Sequence, residues 1–347
     1  DNQPGPVDYY NLFTADPVLP AAVRREGGNT DLLTAFGAQV GSDEIREWAR
    51  LANRNVPILH THDRFGDRID EVEYHPAYHS LLNLAVEAGI HCMRYEQPAG
   101  EGGYVTRNAL MGLITQIEMG HGCPTSMTSA ALTTLRYQPE LAEIWEPLIL
   151  SRNYEHQLRA PQHKSGVLIG MGMTEKQGGS DVRANTSTAV AVNGGGPGGE
   201  YRLEGHKWFT SAPMCDAFLI LAYAPKGMSC FLVPRVLPDG IRNSLRFMRL
   251  KDKLGNRSNA SAELEFDDTA AWMVGEEGRG IPTIIEMVHS TRLDVANWGV
   301  SLMRQAVAQA GWHVAHRDAF GATLIDKPLM QNVLADLEVE VEAATLM

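Results

Sequence analysis

Two short segments of this chain carry groups suited to holding a flat redox cofactor and its diphosphate. The first is Met171-Gly172-Met173-Thr174-Glu175-Lys176-Gln177-Gly178-Gly179-Ser180-Asp181-Val182, and the apolar run over 166–173 that feeds it reads as a buried strand. Gly178, Gly179 and Ser180 then form a turn in which main-chain N–H groups can approach an anion with no Cβ in the way. The second segment, Gly205-His206-Lys207-Trp208-Phe209-Thr210-Ser211, ends a strand pattern of its own. Trp208 and Phe209 offer an aromatic wall, and Thr210 and Ser211 offer hydroxyls, which together suit a flavin ring. Taken alone, the glycine-rich turn reads equally well as a structural bend. The reading as a cofactor site requires the two segments to meet in space.

The elements that must position them differ in texture along the chain. Residues 1–30 contain Pro4, Pro6, Pro17 and Pro20 and read as an irregular arm. Helical apolar spacing follows over 43–53, 77–88, 105–119 and 125–137, so 31–165 reads as a helical domain. From 166 to 274 short strand patterns alternate with turn residues, over 166–171, 186–192, 201–210, 218–223, 229–234 and 262–266. Six or seven such strands make a small barrel or sandwich. A long helical pattern runs from Ile281 to Phe320 and stops at Gly321, and a further one begins at Leu329. One long helix and a fragment cannot bury their own apolar faces, so 275–347 reads as the incomplete start of a helical domain.

Composition bounds the classes. At 347 residues and 44% hydrophobic, the chain has apolar material for two or three packed domains. The 30 basic and 42 acidic residues leave a formal charge of −12, so no general nucleic-acid surface is visible. Cys92, Cys123, Cys215 and Cys230 show no CxxC pairing or zinc spacing and read as reduced, buried thiols. No apolar run approaches the ~18 residues of a membrane span, and no leader opens the chain, so the expected compartment is the cytoplasm with no membrane partner.

Rival sites are weaker. The run Asn193-Gly194-Gly195-Gly196-Pro197-Gly198-Gly199-Glu200 lies between two strand patterns with no helix after it, and reads as a hairpin rather than a phosphate loop. Gly170-Met171-Gly172 does not complete GxGxxG, because position 175 is glutamate, which disfavours a nicotinamide Rossmann enzyme. His60-Thr61-His62 and the i, i+4 pair His75 and His79 raise a metal-dependent hydrolase, but no HExxH frame exists and Pro76 starts the helix between the pair. These histidines read as surface or core residues, and no metal is expected.

The cofactor segments resemble the acyl-CoA dehydrogenase family, whose flavin-binding stretch commonly reads Val-Thr-Glu-Pro-Gly-Ala-Gly-Ser-Asp. Met173 to Asp181 fill the same frame, with Lys176-Gln177 in place of Pro-Gly. That departure, together with 205–209 and the Lys-Asp-Lys-Leu-Gly-Asn-Arg-Ser-Asn-Ala-Ser stretch at 251–261, is similar to one branch, the flavoproteins of the bacterial adaptive response to DNA alkylation. The resemblance spans nearly the whole chain, from 22–27 through 74–79 to 317–321.

It implies an α+β acyl-CoA dehydrogenase fold: an amino-terminal helical domain, a middle β-barrel or sandwich domain, and a carboxy-terminal helical bundle, truncated here. It implies FAD, with Met171, Gly172, Met173 and Thr174 along the ring's polar edge and Gly178, Gly179 and Ser180 on the diphosphate. Phe209 would lie on the ring face, with Thr210 and Ser211 presenting donors toward N5, where they stabilise the charge that grows on reduction. Arg317, Phe320 and Gly321 match the family's Arg-x-x-Phe-Gly motif, which contacts the adenosine end of a neighbouring subunit's flavin. The same residues also fit a helix C-terminus with a capping glycine. The implied assembly is a homo-oligomer, a tetramer built as a dimer of dimers.

The catalytic base stays unassigned. Oxidation of an acyl thioester needs a carboxylate to take the α-proton. Family members place it in a late loop, which lies beyond Met347, or on the first helix of the final domain, where the corresponding residues here are Thr291-Arg292. Asp294, nearly one turn on, reads as a helix-surface carboxylate. Met287, Trp298 and Met303 would narrow an acyl channel or simply fill a core. Two functions therefore remain: weak oxidation of a short or branched acyl-CoA, with a role in alkylation defence, or a non-catalytic, flavin-stabilised protein that binds double-stranded DNA through its carboxy-terminal domain.

Overall fold

The computed structural model describes residues 2–347 other than 8 and 99. The helices α1 (Leu19–Arg25), α2 (Thr30–Val40) and α3 (Asp43–Arg54) are followed by a hairpin of β1 (Ile58–His62) and β2 (Arg68–Glu73). Next come α4 (Pro76–Glu87), α5 (Met93–Glu96), α6 (Gly103–Thr115), α7 (Gly122–Leu135) and α8 (Pro139–Ile149). The β region holds β3 (Ile169–Gly172), β4 (Thr188–Ala191), β5 (Glu200–Ser211), β6 (Ala217–Ala224), β7 (Gly227–Pro234), β8 (Leu245–Leu250) and β9 (Ser261–Val274). The chain closes with α9 (Gly280–His316), the short strands β10 (Asp318–Ala319) and β11 (Ala322–Thr323), and α10 (Pro328–Leu346).

These elements form two compact units, one of residues up to 49 with 93–119 and 293–347, the other of 50–92 with 120–292. In the smaller unit, α6 meets the part of α9 from residue 293 onward through an ion pair between Arg107 and Asp294, both nearly inaccessible, with Arg107 Nη2 2.8 Å from Asp294 Oδ2. Leu293, Val295 and Leu302 on α9, and Leu329 and Val339 on α10, remain exposed. The larger unit is built on a ring of strands. β6 pairs with β4, β4 with β5, β5 with β9, β9 with β7, and β7 returns to β6, so the sheet closes into a barrel. Closure removes the exposed edges that an open sheet would leave. β3 adds to β6 in parallel and β8 adds to β9. Phe218, Phe231, Phe247 and Tyr201 fill the interior and are fully buried.

Several expectations change. The arm over 1–30 contains α1, because Pro20 stands in its first turn, where a missing N–H costs nothing. The helical stretch 31–165 contains the β1–β2 hairpin, turned by Asp63, whose carboxylate accepts from the N–H groups of Phe65 and Asp67. His60 and His62 thus lie on a strand, and His75 is not on a helix but caps one: its ring nitrogen accepts from Ala77 N at 3.1 Å while Pro76 opens α4. The long carboxy-terminal helix ends at His316, not Phe320. Phe320 and Gly321 both take positive φ and form the two-residue turn between β10 and β11, so Gly321 is a hairpin residue rather than a helix cap. β8 is a strand that alternation over 245–250 did not reveal, and β9 runs well past 266.

The strand that leads into the glycine-rich turn is anchored by a helix. Thr128 on α7 accepts from the Ile169 N–H at 2.9 Å and donates to the Pro124 carbonyl at 2.7 Å. Thr128→Val keeps the shape and leaves a buried N–H without a partner, so we expect a loss of about 1–3 kcal/mol in urea denaturation. Thr128→Ser, which keeps the hydroxyl, should cost clearly less; equal losses would show that the methyl group, not the hydrogen bond, matters there.

Candidate functional site

β3 runs close under its neighbours, which is why its sequence alternates glycine. A Cβ on Gly170 would stand 2.6 Å from the Phe218 ring, and one on Gly172 would stand 2.7 Å from Thr210 Oγ1. The chain then leaves the sheet and is caught by β5. The Trp208 N–H donates to the Thr174 carbonyl at 2.9 Å, and the Lys176 N–H donates to His206 Nε2 at 3.1 Å. The two segments that sequence reasoning required to converge are therefore hydrogen-bonded to each other.

The turn itself is closed by Glu175 and Gly178, each bonding the other's main chain, and Asn185 Nδ2 donates to the Met173 carbonyl at 2.7 Å. At Gly179 a Cβ would meet nothing within 4 Å, and Ser180 is exposed beside it. This is an open, amide-rich bend of the kind that accepts an anion. Asp181 then caps a short 3₁₀ turn, accepting from Arg183 N at 3.1 Å.

Beneath the bend lies a residue pair that sequence reasoning passed over. Glu175 and Lys207 have fully inaccessible side chains, with Nζ 2.6 Å from Oε1. Glu175 also accepts from Thr186 N at 2.7 Å, Ser187 N at 3.1 Å and Gln177 Nε2 at 2.8 Å. Burial alone would push its carboxyl up, but the hydrogen bonds from Lys207, Ser187 and Thr186 outweigh burial and bring it down to about 2. Burial pushes Lys207 down, and Glu175 opposes that shift. One signal was available: Lys207 shares strand parity with the buried Tyr201 and Leu203, so it faces the interior and needs a counter-charge.

The strand end separates the residues that composition grouped together. Phe209 is 43% exposed and Ser211 follows on the same face, its hydroxyl 3.1 Å from Ser261 Oγ. Thr210 faces the other way. Its hydroxyl is buried against Gly172 with no hydrogen-bond partner, because the register shift between Lys207 and Thr210 reverses the parity that Tyr201, Leu203 and Lys207 set; this corrects the expectation that Thr210 presents a side-chain donor beside Ser211. Trp208 does not form an open wall either: Lys251 Nζ lies 3.5 Å from its ring centre, with Lys176 and Arg249 farther out. Met171, Met173 and Thr174 are half-buried along the same segment. An exposed aromatic face, a neighbouring hydroxyl and an open amide bend, all in one unit, are a donor set that fits a flavin dinucleotide.

Arg317 and Phe320 lie in the other unit. Arg317 Nη1 donates to the Asn2 carbonyl at 2.6 Å, and Phe320 is 95% exposed at the hairpin tip. Asp294, expected on a helix surface, is buried and engaged by Arg107, because α6 places a guanidinium opposite it. Thr291 Oγ1 donates to the Val288 carbonyl of its own helix at 3.0 Å. Met287 is fully buried, whereas Met303 is partly exposed. Among the described residues no group of three His, Cys, Asp or Glu side chains is arranged to hold a metal. Among them too, no helix is long and apolar enough to cross a membrane.

Glu175 holds the site together, so its loss has a defined signature. Glu175→Gln leaves Lys207 charged and buried without its counter-ion, and we expect destabilisation of about 3–5 kcal/mol by chemical denaturation. The double substitution Glu175→Gln with Lys207→Met should recover much of that loss; a single-variant cost below about 1 kcal/mol would contradict the assignment. Because the folded pKa lies below the ordinary 4.5, the contribution is complete above pH 4.5 and is lost as pH falls toward 2. The acid limb of the stability curve between those values should therefore flatten in the double variant.

Family models match three consecutive parts of the chain: the adaptive response protein AidB N-terminal domain over 2–156, the acyl-CoA dehydrogenase middle domain over 170–269, and the acyl-CoA dehydrogenase C-terminal domain over 278–347. AidB of Escherichia coli (strain K12) is 45% identical over 99% of this chain and 63% of its own length. The crystal structure of Caenorhabditis elegans ACDH-11 in complex with C11-CoA superposes with a TM-score of 0.88 at 29% identity, covering 98% of this chain and 58% of that one. Butyryl-CoA dehydrogenase from Megasphaera elsdenii, at 18% identity and a TM-score of 0.66, shares the fold over 97% of this chain and 78% of its own. The chain thus spans less than two thirds of the length of its E. coli and C. elegans relatives. Its fold has the family's three parts, a helical amino-terminal region, a middle β domain and the helices of a carboxy-terminal domain. The chain belongs to the acyl-CoA dehydrogenase family, whose members are FAD-binding flavoproteins.

Proposed function

We propose that the chain is an FAD-dependent, acyl-CoA dehydrogenase-like flavoprotein of the AidB type, with weak oxidation of a short or branched acyl-CoA and a part in defence against DNA alkylation. One observation carries the cofactor reading: Trp208 N–H binds the Thr174 carbonyl at 2.9 Å, which ties the amide-rich bend to the exposed face of Phe209. Met171, Gly172, Met173 and Thr174 would follow the polar edge of the ring, and Phe209 its face. Ser211 would supply the side-chain donor near N5, and Thr210 would contribute only through its main chain. Gly179 and Ser180 would bind the diphosphate, where amides meet negative charge without steric cost, and Gly178, its N–H taken by the Glu175 carbonyl, would hold the bend in shape. Arg317 and Phe320 would reach the adenosine end of a neighbouring subunit's flavin, within a tetramer built as a dimer of dimers. Such a shared site makes assembly a condition for full occupancy. The domains of this reading are an arm over 1–30, a helical domain over 31–165, the flavin-bearing β domain over 166–274 and the start of the final helical domain over 275–347. The compartment is the cytoplasm.

When bound, FAD supplies a hydride acceptor. The chain's own part is to hold the ring, to stabilise the charge that grows on it, and to exclude water from its face. No base for the α-proton is assigned. Thr291 carries no carboxylate, and Asp294 is already spoken for by Arg107. A second reading, which needs no base, is a non-catalytic, flavin-stabilised protein that binds double-stranded DNA.

Two experiments test these readings. Ser180→Asp places a carboxylate against the diphosphate, a repulsion of about 1–4 kcal/mol at contact distance and hence at least about fivefold weaker flavin binding. Purified variant carrying a full complement of flavin would overturn the assignment. Flavin bleaching by a panel of acyl-CoA esters, with and without duplex DNA, separates the functions. Bleaching at enzymatic rates supports the dehydrogenase; retention of duplex with negligible bleaching supports the scaffold.

A further inference from the structure

Within the larger unit a cavity of about 550 Å³ lies between the β2 strand, α4, the stretch at 156–158 and the loop after β7, lined by none of the residues that carry the flavin reading. Its volume is in the range of sites for small organic ligands. Two smaller cavities adjoin it, sharing Leu158 and Arg242. Five arginines and three carboxylates line the three together, in a chain whose overall charge is −12.

Arg235 is the unusual member. It is 7% exposed, and its guanidinium donates to the Pro213 carbonyl at 2.9 Å and the Asp70 carbonyl at 2.8 Å. Its remaining face lies over the Phe247 ring, 4.6 Å from the centre. Among the described residues no carboxylate forms an ion pair with it. A guanidinium has five N–H donors, and a buried charge held only by carbonyl dipoles and a ring is costly. Burial and the repulsion of Arg242 accordingly push Arg235 down to about 10, against the pull of Asp216, Asp70 and Glu71. Arg242 stands beside it on the cavity wall, exposed, paired with Glu71 and bonded to the Ile69 carbonyl.

Aromatic rings also line this cavity. Tyr74 stacks on Tyr78 at 4.6 Å, and the His79 and His156 rings lie 4.5 Å apart. His79 Nδ1 is 2.8 Å from Tyr154 Oη, and burial together with His156 brings its pKa down to about 4, so the ring is neutral and suited to stacking. His156 is exposed. Glu73, at the rim, bonds His60 and leaves acceptor capacity for ligand N–H or O–H groups. Glu71 and Glu73 at the wall argue against a polyanion and for a single anionic group.

We propose that this cavity is a binding site for a mononucleotide-sized ligand, its one phosphate held between Arg235 and Arg242 and its flat base laid against His79 and His156. The pair of guanidiniums supplies the charge-assisted, planar contacts that a phosphate monoester takes. The aromatic wall supplies the ring contact, and Glu73 accepts from an exocyclic amine. The site stands apart from the flavin reading and does not depend on it.

The test is calorimetric titration with adenosine monophosphate in saturating FAD, so that the bend at 178–180 cannot take the nucleotide. Inorganic phosphate and adenosine are the comparison probes. Nucleotide should bind, phosphate should bind more weakly, and adenosine should give no resolvable heat. Arg242→Gln removes an exposed charge and His156→Ala an exposed ring, so neither threatens folding as Arg235 substitutions do. The first should weaken nucleotide about ten- to hundredfold, and the second should weaken nucleotide but not phosphate. No heat from nucleotide at millimolar concentration, or binding unchanged in both variants, would overturn the proposal.

Discussion

The buried contact between Glu175 and Lys207 is the constraint on which the candidate site depends. One residue follows β3 out of the sheet and the other lies within β5, so a single ion pair decides where the glycine-rich bend stands relative to the strand end. A buried pair of this kind adds little net stability, because desolvating both groups offsets much of their attraction. Its value is in geometry. Glu175 gathers Thr186 and Ser187 as well as Lys207, and it thereby pulls three pieces of chain onto one carboxylate. The main-chain bond between Trp208 and Thr174 then follows in register.

Closure of the barrel makes that contact possible. Without the pairing between β6 and β7 that closes the ring, β7 would face solvent along an edge; in the ring it lies between β6 and β9, and β3 can lean on β6 while passing under β5. Gly170 and Gly172 are the local consequence, since a side chain at either position would collide with Phe218 or with Thr210. The same crowding turns the Thr210 hydroxyl inward and leaves Phe209 and Ser211 on the accessible face. Specificity for a planar cofactor would come from this irregular strand end, where the register shifts between Lys207 and Thr210, rather than from any one residue.

Legibility varied with the kind of signal. Long apolar periodicities over 43–53, 77–88 and 125–137 marked α3, α4 and α7 closely, and the β texture over 166–274 marked the barrel. Short elements with mixed polarity were missed. The β1–β2 hairpin lacks a buried face, and β8 alternates arginine with apolar residues in a way that also suits a loop. The end of α9 was misjudged because Arg317 and Asp318 continue a helical pattern, while the positive φ of Phe320 and Gly321 imposes a hairpin. Asp294 was read as a surface carboxylate because its counter-ion, Arg107, is remote in sequence.

From sequence alone, residue type determined which chemistry is available: an amide-rich bend, an aromatic strand end and hydroxyls beside it, in a frame that resembles a flavoprotein family. Those are properties of side chains and of short-range backbone freedom, which neighbours in sequence control. Tertiary structure alone decided which hydroxyl is accessible, which carboxylates are already engaged, and that Arg235 is buried without a contacting counter-charge. Exposure and pairing depend on residues brought together from distant parts of the chain, and no local pattern encodes that encounter.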